Sequence, residues 1–196
     1  MSVNPTISTK ELEILAPALF TQEPHSDTSN KYYFIKTIDV IEEIKANNWY
    51  PVSVKVSNVR DEEKEGFQQH CVRFRHFEDL LNPKDNAVEL LLFNSHDRSK
   101  AFSISAGIFR FVCANGLVIS DNVFETYKIK HLGERDNDVA NAVANITAIK
   151  PKLMEKINKL ESITLNQSEK ESFAKYSIPL RFEEHLEINH NDLLIP

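Results

Sequence analysis

The chain has 196 residues, which is long enough for one domain with a substantial hydrophobic core. With 41% hydrophobic and 27% charged residues, its composition excludes a disordered or fibrous protein. The formal net charge of −6 disfavours a protein that coats DNA through broad phosphate attraction.

The charge is unevenly distributed along the chain. Residues 1–66 carry 7 basic and 11 acidic side chains, residues 67–131 carry 8 and 7, and residues 132–196 carry 8 and 11. The middle third is therefore basic relative to its two flanks, and any contact with phosphate groups is expected there.

Nothing in the sequence indicates a membrane or an oxidising compartment. No apolar run approaches the roughly 20 residues of a membrane-spanning helix, and the N-terminus lacks a signal-peptide pattern. Cys71 and Cys113 belong to no paired-cysteine motif and are expected to be small buried side chains. We therefore expect a cytoplasmic protein with no membrane contact and no cofactor.

The first predicted element is a short helix that Ser8 or Thr9 can cap and that Pro17 should break. Its apolar stripe would be formed by Leu12, Leu15 and Leu19. Residues 21–30 have turn composition, and we expect His25 to be a solvated loop residue rather than a ligand.

A strand is predicted at Lys31–Thr37 from its aromatic residues. A helix capped by Thr37 or Asp39 should follow, with one apolar side formed by Val40, Ile41, Ile44 and Trp49. The clean alternation in Tyr50–Val59 then predicts a half-buried strand.

The next strand is predicted at Phe67–Phe77, after a charged connection at Arg60–Glu65 that is either a solvated loop or an acidic contact surface. Arg73 and Arg75 would lie on the same side of this strand, one pleat of roughly 7 Å apart. Arginines and aromatics on a sheet are used to bind single-stranded nucleic acid. The alternative is the polar outer face of an antiparallel sheet.

The central segment, Glu89–Val118, predicts a strand, a polar corner, a second strand and a third apolar element. The corner is Asn94-Ser95-His96-Asp97, whose side chains favour turns. The third element is the block Ile108–Val112, and Asn115-Gly116 should form a turn after it.

The second half of the chain changes from strand to helix periodicity. Val123–His131 alternates as a strand, and a long amphipathic helix is predicted from Asp136 to Glu161, kinked or divided at Pro151. A shorter helix should begin near Asn166 or Ser168 and reach Tyr176, before an extended tail from Ile178 to Pro196.

These elements predict an α+β fold: a mostly antiparallel sheet with short N-terminal helices and a C-terminal helical segment. We expect residues 1–133 to form the mainly β core, with residues 134–196 as a helical segment and tail packed on the same domain.

The polar corner is also the first candidate for chemistry. His96 and Asp97, with His70, His76 or His131 brought near by the sheet, could hold a divalent metal or act as a base. However, neighbouring strand residues point to opposite faces, and the chain has no HExxH, CxxC or GxSxG motif. The alternative is a corner that shapes a turn through local hydrogen bonds. With only four glycines, no phosphate-binding glycine loop is present.

Several segments together resemble a known family. They are Ala16-Pro17 with Phe20, Ser29 to Ile35, Asn94-Ser95-His96-Asp97, Gly107 to Val118 and His131-Leu132-Gly133. Their order and spacing are similar to the YafZ-like family of uncharacterised phage and plasmid proteins, whose longer members continue beyond Asp192-Leu193-Leu194. The resemblance implies a setting, mobile genetic elements in bacteria, and supplies no catalytic residues.

We therefore expect a non-enzymatic protein that acts by binding. The first hypothesis is an inhibitor of a host defence complex, of the anti-CRISPR or anti-restriction type, whose partner is a nucleoprotein or protein effector. The second is direct binding of single-stranded nucleic acid in replication or recombination, and the third is a metal-dependent enzyme using His96 and Asp97. The candidate binding residues are Arg73, Arg75, His96, Asp97, Arg98, Lys100, Arg110, Lys128 and Lys130.

Overall fold

The computed structural model describes residues 6–59, 61–83, 87–111, 118–132, 136–181 and 189. A five-stranded antiparallel sheet occupies the middle of the chain, with its strands side by side in sequence order. The strands are β1 (Trp49–Val56), β2 (His70–His76), β3 (Glu89–Asn94), β4 (Phe102–Phe111) and β5 (Val118–Ile129). The helices are α1 (Thr9–Leu15), α2 (Thr37–Ala46), α3 (Phe77–Leu81), α4 (Asp136–Thr147), α5 (Lys150–Glu161) and α6 (Gln167–Arg181). The α+β prediction is confirmed.

The sheet has two faces of different character, because successive residues of a strand point to opposite sides. We call one the helix face, since α2 and α4 pack on that side and the Trp49 indole donates a hydrogen bond to the Thr147 carbonyl of α4. Its fully buried apolar strand residues are Trp49, Val72, Phe74, Leu90, Leu92, Phe102, Ile104 and Ala106. We call the other the polar face; its side chains come from Ser53, Lys55, Cys71, Arg73, Arg75, Glu89, Leu91, Phe93, Ser103, Ser105, Thr126 and Lys128.

Helix α1 begins and ends as predicted. Ser8 caps it in a reciprocal arrangement with Glu11, which accepts a bond from the Ser8 backbone, and the helix ends before Pro17. Leu12 and Leu19 are buried, but Leu15 is 58% exposed, so the predicted stripe was wrong at that position. Leu15 is the last residue of a helix of only 7 residues, and Leu12 is the residue that this helix buries.

The predicted strand at Lys31–Thr37 was wrong. The segment forms no strand, although the Tyr33 amide donates to the His131 carbonyl at 3.2 Å. Thr37 also does not cap α2: it is the first helical residue, and the N-cap is Lys36, which makes no side-chain cap. The Thr37 hydroxyl is instead buried in a tertiary network, so the local capping rule does not apply.

Several boundaries in the sheet differ from the prediction, among them the start of β5, which is Val118 and not Val123. Trp49 opens β1 and does not belong to α2, and β2 ends at His76 because the short helix α3 begins at Phe77. The second strand and the third apolar element are one continuous strand, β4, with register shifts between Ala106 and Gly107 and between Ile108 and Phe109. The Asn115-Gly116 turn lies outside the described residues.

Pro151 divides the predicted long helix, as expected. Helix α4 ends at Thr147, and Pro151 is the second residue of α5, where its missing N–H breaks no helical bond. Helix α6 starts after Asn166, which exchanges bonds with Glu169, and it runs to Arg181. The beginning of the predicted extended tail is therefore helical, and the rest of the tail, apart from residue 189, lies outside the described residues.

The chain divides into two compact units, Met1–Met154 and Glu155–Pro196. The first contains the whole sheet together with α1 to α4. In the described part of the chain, we find no helix with the length and apolar character required to cross a membrane.

Candidate functional site

A buried hydroxyl lies at the centre of the polar corner on the helix face. Thr37 Oγ1 is 2.9 Å from His70 Nε2 and 3.3 Å from His96 Nε2, and it accepts a bond of 2.9 Å from the Asn94 side-chain amide. These four residues are at most 1% exposed. We call them the Thr37 cluster. Helix α2, β2 and β3 each contribute at least one member, so the cluster joins three elements.

The hydrogen bonds fix the protonation of His70. His70 Nδ1 faces the Gln68 carbonyl at 3.1 Å and must donate to it, so neutral His70 accepts at Nε2 from the Thr37 hydroxyl. His96 Nε2 lies on the same hydroxyl at 3.3 Å, and the Ala18 backbone also acts on the His96 ring and favours its protonated form.

Burial keeps both histidines neutral. It lowers the pKa of His70 to about 4, opposed by the Gln68 carbonyl and the charge of Asp97. Burial also lowers the pKa of His96 to about 3, together with the neighbouring rings of His70 and His131. Both rings are therefore neutral at neutral pH, and they take part in the hydrogen bonds of the cluster as neutral groups.

The backbone of the corner ties several loops to the end of the sheet. The His96 amide donates to the Phe67 carbonyl at 2.8 Å, and the His96 carbonyl accepts from the His25 amide at 2.9 Å. The Tyr32 hydroxyl donates to the Ser95 carbonyl at 3.0 Å. The corner therefore organises the connections before α2, before β2 and after β3.

His25 is part of this arrangement and is only 6% exposed, so the prediction of a solvated loop residue was wrong. Its Nδ1 accepts from the Asp27 amide and its Nε2 lies 3.1 Å from the Glu63 carbonyl. The ring also packs edge-on against Phe67. The polar composition of its loop concealed these tertiary bonds.

Asp97 and Arg98 lie where the corner turns outward. Asp97 accepts from the amide and hydroxyl of Ser99, and those bonds lower the pKa of its carboxyl against the opposing effect of burial. Arg98 is exposed with a φ of 70°, a left-handed conformation that the tight turn requires. Over the described residues, no three histidine, cysteine or carboxylate side chains are grouped so that they could hold a metal ion.

The two predicted arginines lie on the polar face and share one buried carboxylate. Arg75 Nη2 contacts Glu89 Oε1 at 2.5 Å, and Arg73 Nη1 lies 3.5 Å from Glu89 Oε2. Glu89 is 2% exposed, and burial raises its pKa while the two guanidiniums oppose the shift. The arginine side chains are 22% and 29% exposed, so each is accessible at its edge.

The pairing register places five residues in one row across the polar face. From β1 to β5 the row is Lys55, Cys71, Phe93, Ser103 and Lys128. Lys55 and Lys128 are exposed at the two ends, and Phe93 is half-buried in the middle. The Lys100 ammonium lies over the Phe93 ring, 5.4 Å from its centre. We call this set, with Lys100, the Lys55–Lys128 row.

Two further predicted binding residues are Lys130 and Arg110. Lys130 is exposed just beyond the end of β5. Arg110 lies on β4, and its side chain is outside the described part of the structure. Sequence reasoning missed Lys55 and Phe93: each strand had been recognised, but only the register shows that they share a row.

The chain matches the family model described as "Domain of unknown function (DUF932)" over residues 24–192. It is 27% identical over 191 residues to the UPF0380 proteins YfjQ and YafZ of Escherichia coli strain K12, a match that covers 97% of this chain and 69% of each relative. No solved structure matches the chain. The family match spans well over half of the chain, which is therefore a member of the DUF932 family.

Proposed function

We propose that the protein binds single-stranded nucleic acid across the polar face of its sheet. The observation that carries the proposal is the Lys55–Lys128 row, in which an aromatic ring lies between two exposed lysines with a third lysine above it. Proteins that bind single strands combine cations for the backbone with aromatic rings on which bases stack.

The dimensions of the row suit an extended strand. Four strand spacings of about 4.8 Å separate β1 from β5, so Lys55 and Lys128 are roughly 19 Å apart. A strand crossing the sheet at right angles to the β-strands would meet a lysine at each edge, and a base could stack on Phe93 after the flexible Lys100 moves aside. Such stacking contributes about 1–3 kcal/mol per base.

The charge of this face supports the same ligand. Its cations are Lys55, Arg73, Arg75, Lys100 and Lys128, and among the described side chains of the face Glu89 is the one carboxylate. Glu89 is buried between its arginines, so the accessible surface is positive although the whole chain has a net charge of −6. The setting suggested by the family resemblance, mobile elements that replicate and recombine, also supplies such strands.

Fluorescence anisotropy with labelled oligothymidylate of about 12 nucleotides, within the usual range of site sizes, tests the proposal. We expect the double variant Lys55→Ala/Lys128→Ala to bind at least tenfold more weakly. The slope of log affinity against log salt should become shallower by about 0.7 for each phosphate contact removed.

Lys10→Ala is the matched control, because Lys10 is an exposed lysine on α1 and belongs to none of the five strands. It should bind as the unchanged protein does. Affinity that does not depend on salt, or equal loss in the control and the double variant, would contradict the proposal.

A second candidate function is inhibition of a host defence complex, of the anti-CRISPR or anti-restriction type. It is supported by the exposed acidic side chains of the connection between β1 and β2, which are Asp61, Glu62, Glu63 and Glu65. Such a segment complements a basic nucleic-acid channel on an effector. A purified effector complex that retains the protein on a sizing column, and releases a variant with these four residues neutralised, would favour this candidate over direct strand binding.

A further inference from the structure

A groove opens along the outer edge of the sheet, between β5 and α4. It has a volume of about 400 Å³, within the range of small-molecule sites, and is open to solvent. Its floor is formed by Ile129 and Ala142, which are 8% and 2% exposed. Its polar rim is formed by Tyr127, Lys128, Lys130, Asn141, Asn145 and one carboxylate, Asp138.

The two asparagines act from one side of α4. They are four residues apart, so they lie one above the other on the same helical face, and both are exposed. A side-chain amide offers a donor and an acceptor side by side, which is the pattern that pairs with the N6 and N7 atoms of adenine. Tyr127 supplies an aromatic ring at the same groove.

The groove is continuous with the Lys55–Lys128 row. Lys128 ends the row on the polar face and also lines the groove, because β5 is the last strand of the described sheet. A strand that follows the row past Lys128 passes over the β5 edge and arrives at the groove, where Lys130 can contact the next phosphate.

We propose that this groove holds one base of the bound strand and selects adenine through Asn141 and Asn145, an inference that rests on the proposed function. The base lies on Ile129 and Ala142, the amides contact its edge, and Lys130 contacts its phosphate. The sheet then supplies affinity without sequence preference, and the groove supplies the preference.

The test compares the full chain with Asn141→Ala/Asn145→Ala on oligothymidylate and on the same oligomer carrying one adenine at successive positions. We expect one placement of adenine to raise affinity about fivefold or more, the lower end of what a bidentate contact gives. The double variant should lose this preference and keep the salt dependence of binding. Asn137→Ala, an exposed asparagine on α4 that does not line the groove, should keep the preference.

The outcomes separate this inference from the function on which it rests. Salt-dependent binding with no adenine preference, or a preference that survives in the double variant, contradicts adenine selection by the groove. Either result leaves the proposed strand binding by the sheet unaffected. The absence of binding to every oligomer overturns both. As an independent measurement, adenosine monophosphate should shift the side-chain amide resonances of Asn141 and Asn145 more than cytidine monophosphate does, and equal shifts would also overturn the base selection.

Discussion

The two faces of the sheet use the same strands for opposite purposes. On the helix face, β2 and β3 direct His70 and Asn94 into the Thr37 cluster, where every polar group is enclosed. On the polar face, the adjacent residues Cys71 and Phe93 lie in a row that ends in exposed lysines. The polar corner is therefore enclosed in internal hydrogen bonds, whereas the surface that we propose for nucleic acid is spread over all five strands.

The largest expected effect comes from removing the hydroxyl at the centre of the Thr37 cluster. Thr37→Val keeps the shape but removes the one hydroxyl that His70, His96 and Asn94 share, so each loses one buried hydrogen bond, while His70 keeps its bond to the Gln68 carbonyl and Asn94 its bond to the Ile35 carbonyl. At about 1–3 kcal/mol for each unsatisfied group, we expect a loss of about 3–5 kcal/mol in the free energy of unfolding. Urea denaturation measures it.

Thr126→Val is the matched control for that substitution. Thr126 is an exposed strand residue whose hydroxyl contacts Ser105 on the polar face. Its replacement should change stability by less than about 0.5 kcal/mol. Equal effects of the two substitutions would contradict the assignment of a structural role to the cluster.

The next effect is a dependence of stability on pH. His70 and His96 have folded pKa values of about 4 and about 3, below the ordinary value of 6.5. Their contribution is therefore complete above pH 6.5 and is lost as the pH falls towards those folded values, because the unfolded chain binds the protons first. Between pH 6.5 and its folded pKa, each histidine should lower the free energy of unfolding by about 1.4 kcal/mol for every pH unit.

The free energy of unfolding measured in urea between pH 7 and pH 5 checks this prediction. His96→Phe, which keeps a ring beside Phe34, should be less stable at pH 7 but should have a shallower pH slope, and the part that remains comes from the other histidines whose pKa values are lowered, His70, His76 and His131. An unchanged slope in this variant would show that His96 is not held neutral.

A smaller effect is expected at the buried carboxylate of the polar face. Glu89→Gln removes the charge that Arg73 and Arg75 share, and it should cost about 1–3 kcal/mol of stability, since the partly exposed guanidiniums can be rehydrated. Affinity for single strands should rise a few-fold, because the face becomes more positive. Stability and affinity that fall together would contradict the binding role of this face.

The smallest expected effect is on stacking. Phe93→Leu keeps an apolar side chain beside Leu91 but removes the flat ring, and affinity for oligothymidylate should fall by about 1 kcal/mol, the lower end of the stacking contribution. The salt dependence should not change, since no cation is removed. Anisotropy titrations at two salt concentrations separate the stacking contribution from the electrostatic contribution to affinity. A changed salt slope would show that Phe93 acts through something other than stacking.

Much of the fold could be predicted from local patterns. The alternation after Trp49, the change of period after residue 133 and the proline at position 151 identified strands and helices that the structure contains. The predictions failed where tertiary bonds override local chemistry. Tyr32 and Phe34 favour a strand by composition, but they pack on His131 and His96 instead of joining the sheet.

The candidate site was less accessible to sequence reasoning. The corner Asn94-Ser95-His96-Asp97 has residue types that are common in metal and acid–base sites, but its Asn94, Ser95 and Asp97 side chains make internal hydrogen bonds. Lys55 gave no signal by itself, because an exposed lysine on a strand is ordinary. Its position opposite Cys71, and hence in line with Phe93 and Lys128, depends on the register of three further strand pairs.

The most direct measurement is photo-crosslinking of the full chain to an oligothymidylate, followed by mass spectrometry of the crosslinked peptides. We expect crosslinks at Phe93 and in the neighbouring strands β4 and β5, and we expect them to weaken in Phe93→Leu and in Lys55→Ala/Lys128→Ala. Crosslinks confined to the connections around His25 and Asp97, or unchanged in both variants, would contradict the assignment of ligand binding to the polar face.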